Sequence, residues 1–212
     1  MSEIKTVQWN SVVVGKWNPA ILTPKGIADL IFNKPPDEPL EVFVPLNATG
    51  PFKVRIDGLL VSADFDRLII DCDKSNWEAI EESREYCCQA IDSLPKTPLT
   101  AAGFNIRYEL SDPDDHFTEI LSIPLDASLS DNNLKITGRE TRRSFPWNNG
   151  GINLHIVKAE TENYNFLLNF NKSSNNNDEL QAWLRTPINE VKNITKTIIC
   201  TIFDICEEGK IL

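Results

Sequence analysis

Three arginines, Arg139, Arg142 and Arg143, followed closely by Phe145 and Trp147, form the densest chemistry-bearing cluster in the sequence. Guanidinium forks beside aromatic rings suit two tasks: capture of a carboxylate or phosphate, and anchoring of a protein interface. The preferred expectation is blander. The arginines line the wet side of a strand and pair with Glu140, Glu160 or Glu162, an ordinary and weak arrangement. Arg84 stands out because 100° per residue places it inside an apolar helical stripe beside Trp77 and Ile80. There it either snorkels from the stripe's margin or answers a carboxylate of the sheet or of a second subunit. The dipeptide Trp-Asn recurs at 9–10, 17–18 and 147–148. Tryptophan gives large contact area with one donor, at a core edge (the safer reading) or at an interface. The candidate ligand- or partner-binding residues are therefore Arg139, Arg142, Arg143 and Trp147, and the candidate interface residues are Trp9, Trp17 and Arg84.

Other reaction chemistry finds little support. A nucleophile needs an adjacent base. The two histidines are His155, on the polar side of a strand pattern, and His116, in an aspartate-rich loop. Cys87 falls in a buried helical stripe, where a thiol behaves as a small hydrophobe. Two carboxylate groups have ligand-like spacing: Asp64, Asp66, Asp71 and Asp73, and Asp112, Asp114 and Asp115 with His116. Neither has the glycine and terminal glutamate of a calcium loop. Both read better as turns and strand exits, so no metal and no cofactor is expected. Gly150-Gly151 is a lone pair serving a turn, not a phosphate loop.

The composition narrows the function classes. A net charge of −10 over 212 residues disfavours a phosphate backbone as partner, because binding would add repulsion instead of releasing counterions. Nucleic-acid binding through the arginines, or mimicry of nucleic acid by glutamates, is a minor alternative. The amino-terminal stretch lacks a basic region followed by an apolar one, and the longest greasy run, 198–206, is too short for a bilayer. Five cysteines, odd in number and without CxxC spacing, indicate reduced thiols and a cytoplasmic setting, with no membrane association. The sequons at Asn47, Asn171 and Asn193 are then chance.

Hydrophobic periodicity supplies the frame. A strand is expected over Val7–Val14 and a short helix after Thr23-Pro24, with proline at the first turn. A first repeat follows, with strands at Glu41–Val44, at 52–61 (Asp57-Gly58 being either a hairpin turn or, preferred here, a bulge) and at Leu68–Ile70. A helix then opens with the Ser75–Glu78 capping box. Its stripe of Trp77, Ile80, Cys87, Ile91 and Leu94 opposes Glu78, Glu81, Glu82 and Glu85. Gly103–Leu110 alternates cleanly, as a half-buried strand should. The state of 116–125 is left open. A second repeat places strands over 134–145, 152–156 and 164–170, then a polar stretch at 171–178. A final helix begins at Thr186-Pro187, and its stripe runs Ile188, Val191, Ile194, Ile198, Ile202 and Ile205. A terminal strand at 198–203 is the lesser alternative.

These patterns predict an α+β protein: two layers, mainly antiparallel sheet covered by helices, with βββα units in possible pseudo-duplication. One domain is expected over 1–212, with 1–125 and 126–212 as possible halves. The functional expectation is a non-catalytic protein-interaction or assembly protein that associates with a protein partner or with itself. The alternative is a small-molecule or anion (nucleotide-like) binder or enzyme using the Arg/Trp patch.

Overall fold

In the computed structural model, which describes residues 3–35, 38–46, 50–111, 113, 117, 119, 121–158 and 163–203, every strand of one large sheet runs antiparallel to its neighbours. The strands are β1 (Glu3–Thr6), β2 (Asn10–Gly15), β3 (Glu41–Phe43), β4 (Lys53–Ile56), β5 (Leu59–Ala63), β6 (Arg67–Cys72), β7 (Leu99–Ser111), β8 (Arg139–Trp147), β9 (Gly150–Lys158) and β10 (Tyr164–Ser173). Their spatial order is β3-β4-β5-β6-β2-β7-β10-β9-β8, and β1 continues the line of β2 along the far end of β7. Among the described residues, five helices are delimited and pack on the sheet: α1 (Pro24–Leu30), α2 (Trp77–Ser93), α3 (Pro124–Asp131), α4 (Asn177–Leu184) and α5 (Ile188–Phe203). The expected α+β antiparallel architecture is the one observed. Because β7 pairs with β10, one sheet crosses the 125/126 division.

Alternation sets the two layers. Val54, Val61, Leu68, Ile70, Phe104, Ile106, Ile152, Tyr164 and Phe170 lie under the helices, each at most 1% exposed. Rings lock this core: Phe104 stacks on Phe170 at 4.7 Å, and Trp9 meets Trp77 edge-on at 4.7 Å. In α5, Val191, Thr195 and Ile199 are buried while Ile188, Ile194, Ile198 and Ile202 flank them half-buried. Every described member of the expected stripe thus packs on the core, with the deepest line turned toward Thr195 and Ile199, and the terminal segment to Phe203 is helix, not strand. Ile205 lies outside the described residues.

Several elements differ from expectation for definable reasons. The predicted Val7–Val14 strand is broken by Gln8, whose φ of 43° kinks the chain between β1 and β2. The kink turns Trp9 inward, where its backbone N–H donates to Ser75 Oγ and its indole to the Arg107 carbonyl. Ser75 is therefore not the helix cap. Asn76 is, accepting from the Ala79 N–H at 2.8 Å. Asp57-Gly58 is a two-residue hairpin turn and not a bulge: φ is positive at both, 51° and 79°, as a type I′ turn requires. The apolar run misleads because Ile56 and Leu59, facing each other across the turn, bury the same face. Residues 134–138 are not strand, and β8 begins at Arg139. The polar stretch at 171–178 instead finishes β10 and starts α4, capped by Asn176. β2 is an interior strand, paired with β6 on one side and β7 on the other.

Candidate functional site

The described helices leave one face of the sheet uncovered, and a continuous ladder of side-chain hydrogen bonds crosses it. The residues sit in direct register: Ser144 opposite Asn153, Asn153 opposite Asn169, Asn169 opposite Asn105, Asn105 opposite Asn10, and Asn10 opposite Asp71. Ser144 Oγ bonds to Asn153 Oδ1 at 2.7 Å. The Asn153 amide donates to Asn169 at 3.2 Å, Asn169 to Asn105 at 2.9 Å, Asn105 to Asn10 at 2.8 Å, and Asn10 to the Asp71 carboxylate at 2.9 Å. Lys53 Nζ closes the chain on the second Asp71 oxygen at 3.3 Å. Asn171 joins from the side, donating to Asn169 Oδ1 at 3.0 Å. Hydrogen bonds in such a chain polarise one another, so the row is stiffer than separate pairs would be. Half-buried Val12, Leu60, Ile69, Val157 and Leu167 share the same face. Asparagine at alternate positions of several strands was visible in the sequence. What was not visible is which strands are neighbours, and only that makes a ladder.

The expected arginine patch is divided by the pleat of β8. Arg142, opposite His155, shares the open face with Glu140 and Ser144, whereas Arg139, Arg143, Phe145 and Trp147 belong to the helix-covered side. Glu140 Oε1 lies 2.7 Å from Arg142 Nη2 and at ion-pair distance, 3.0 Å, from His155 Nε2. This is the pairing expected for Glu140; Glu160 and Glu162 lie outside the described residues. Arg139 Nε instead meets Asp126 of α3 at 2.9 Å. Arg143 is exposed and curls back, its Nη1 donating to the Arg142 carbonyl at 2.8 Å. Trp147 packs edge-on against Trp183 at 5.3 Å and Phe170 at 5.4 Å. A depression of about 450 Å³ on the open face collects Arg142, Arg143, Ser144, His155, Asn153 and Asn169, so two of the three arginines do share a cleft.

The three candidate interface residues lie inside the chain. Trp9 is 1% exposed, Trp17 3% and Arg84 3%. Arg84 is held by backbone carbonyls of its own chain: Nε donates to the Leu184 carbonyl at 2.6 Å, Nη2 donates to the Thr186 carbonyl, and the guanidinium lies 4.7 Å over Phe104. It clamps α2 to the α4–α5 connection. Burial pushes its pKa below the usual arginine value, and nearby Glu81 partly opposes that. Thr186, read as a cap for α5, donates its hydroxyl back to the Trp183 carbonyl at 2.7 Å.

Burial pushes the Cys72 thiol up to about 12, Cys88 up to about 11, and Cys87 well above the ordinary value, so none of the three is a thiolate at neutral pH. Asp64 and Asp66 sit at one end of β6 and Asp71 and Asp73 at the other. Asp66 pairs with Arg67 at 2.8 Å, Asp71 with Lys53, and Asp73 with Arg55 at 3.0 Å. Among the described residues no cluster of three or more metal-ligating side chains forms. Asp112, Asp114, Asp115 and His116 lie outside them. No described helix is long and apolar enough to cross a membrane. No family model matches the chain, and no curated protein is significantly similar to it.

Proposed function

We propose that the chain is a non-catalytic interaction protein that receives a protein partner on the uncovered face of its sheet. The observation carrying this reading is the amide ladder. It gives that face a centre of uncharged donors and acceptors interleaved with half-buried Val12, Ile69 and Leu167. The charges set among them are engaged, Arg107 by the Gln8 carbonyl and Asp71 by Asn10 and Lys53. A charge-depleted core with a polar rim is the anatomy of protein interfaces. Asparagines fixed by their neighbours also lose little rotamer freedom on binding. The desolvated thiols argue in the same direction, since a nucleophile needs the opposite environment.

Affinity capture from native cells with the tagged chain tests it, comparing Leu167→Arg on the open face with Glu82→Arg on the helix side. Partners should be retained by wild type and Glu82→Arg and lost by Leu167→Arg. Equal retention by both variants, or a strict monomer in light scattering that retains nothing, would refute the proposal. A second reading rests on the depression around Arg142, Arg143 and His155, whose size suits a small anion such as a nucleotide. Thermal shifts with nucleotides and simple anions, abolished in Arg142→Ala, would favour it.

A further inference from the structure

The two margins of the sheet differ in length. β3 has three residues, whereas β8 has nine, and no described strand pairs with the outer edge of β8. Asn148 and Asn149 turn the β8–β9 hairpin with φ of 45° and 60°, a two-residue type I′ loop whose flanking residues, Trp147 and Gly150, form a hydrogen-bonded pair. Alternation fixes the rest. Trp147, Phe145, Arg143, Thr141 and Arg139 turn their backbone groups toward β9, while Ser144, Arg142 and Glu140 turn theirs outward. Two details agree. The Phe145 carbonyl points at β9, 3.4 Å from where a Cβ on Gly151 would stand, and Pro146, with no N–H to offer, holds an outward position. The outward backbone groups of Glu140, Arg142 and Ser144 bond to no other backbone among the described residues. Arg143 exploits this freedom. Its side chain leaves the helix-covered side, yet its guanidinium reaches round the strand to the Arg142 carbonyl, an outward acceptor, at 2.8 Å, and lines the depression on the open face. Arg139 has Asp126 and Arg142 has Glu140, but Arg143 has no ion-pair partner among the described residues. Phe145, next on the same side, is 40% exposed.

From this we infer that β8 accepts an extended acidic segment of another protein as an added antiparallel strand. One N–H of that strand replaces the Arg143 guanidinium at the Arg142 carbonyl, and the released guanidinium pairs with a carboxylate of the newcomer. Arg143 and Phe145 then fall in non-hydrogen-bonded pairs, where opposed side chains approach most closely. The segment therefore carries an apolar residue facing Phe145 and, two positions later in its own sequence, an acidic residue facing Arg143. A second acid directly after it faces Arg142, whose side chain is 73% exposed. A second copy of this chain fits worse, since pairing β8 with itself brings together three arginines and one glutamate from each side. The edge is distinct from the uncovered face, and the two surfaces stand or fall separately.

The test is fluorescence anisotropy of a labelled peptide, Thr-Val-Thr-Glu-Glu-Thr-Lys-Thr, titrated with the full-length chain at constant ionic strength. Half-saturation should fall at roughly 10–300 μM. The same peptide N-methylated at its second glutamate keeps every charge but loses the N–H aimed at the Arg142 carbonyl, and should bind about tenfold more weakly. Arg143 is exposed, so Arg143→Glu leaves the fold alone. That variant should bind the peptide about fivefold more weakly, and should recover most of the loss when the first glutamate of the peptide is replaced by lysine. Leu167→Arg, two strands in from the edge, should leave binding within about threefold of wild type. No saturation up to about 1 mM, equal binding of the N-methylated peptide, or an unchanged charge preference in Arg143→Glu would each overturn the assignment. So would loss of binding in Leu167→Arg, which would move the peptide to the uncovered face, or a dimer in light scattering that the peptide dissociates, which would make a second copy the occupant.

Discussion

Removing the Arg84 guanidinium while keeping its stem, in Arg84→Met, tests whether a buried cation holds the helical layer together. The side chain makes two hydrogen bonds to backbone carbonyls, of Leu184 and Thr186, in surroundings that leave it 3% exposed. Hydrogen bonds from a charged donor contribute about 1.5–3 kcal/mol each, so losing both costs roughly 3–6 kcal/mol. Two effects oppose the loss. The guanidinium no longer has to be desolvated, and methionine keeps an apolar contact with Phe104. Deletion of one partner from a buried charged contact measures about 3–5 kcal/mol, and the lower end, about 3, is expected here because carbonyls are left stranded instead of a charge. For a chain of this size the urea m-value should be about 2–3 kcal/mol per M, so the midpoint should fall by roughly 1–1.5 M with m unchanged. Arg185→Met is the control. That side chain is 45% exposed and pairs with Glu85, and its loss should cost under about 0.5 kcal/mol. Amides of α5 should exchange faster in Arg84→Met, since the clamp acts on the connection leading into it. A midpoint shift no larger than the control's would show that Arg84 is a tolerated burial and not a clamp.

Three further outcomes are expected. The folded-state pKa values of Cys72, Cys87 and Cys88 are raised above the unfolded value near 9.0, so their contribution is complete below about pH 9 and is lost as pH rises toward about 11–12. Between pH 9 and 10 the three together should remove roughly 3 kcal/mol, and the fall of urea midpoints across that window should flatten by about one third in Cys88→Ala. Asn105→Ala strands one acceptor on Asn10 and one donor on Asn169, costing about 1–2 kcal/mol; a double-mutant cycle with Asn169→Ala should show coupling of about 0.5–1 kcal/mol, and strict additivity would mean the ladder is decorative. Gly150→Ala should cost about 2–3 kcal/mol by collision with Trp183 and the Asn171 carbonyl, whereas Gly58→Ala, with open space around it and φ of 79°, should cost only about 1 kcal/mol in thermal unfolding.

Much of this architecture could be read from pattern. The alternations at 104–110 and 164–170 each name one buried face, and antiparallel pairing follows from their polar partners. The failures share a cause: local signals were outvoted by contacts distant in sequence. Ser75 has the residues of a cap, but the Trp9 N–H, 66 positions away, claims its hydroxyl. Arg84 looked misplaced because the carbonyls that hold it lie 100 and 102 residues further on. The arginine patch read as one surface because composition ignores the pleat, which sends Arg142 to one side of β8 and Arg139 to the other.

The amide row has a polarity, and its terminus dictates it. Each asparagine from Asn153 to Asn10 hands a proton donor to the next, and the last meets Asp71, an ionised group able only to accept. A carboxamide turned end for end would confront its neighbour oxygen to oxygen, so no member can flip by itself; the row reverses as a unit or not at all. Ser144, whose hydroxyl can serve either way, tolerates both senses at the opposite margin. One carboxylate thereby orients dipoles across five inter-strand steps, about 24 Å at the usual strand spacing. Replacing it by asparagine would leave the sheet intact and hand the choice of sense to the side contacts of Lys53 and Asn171.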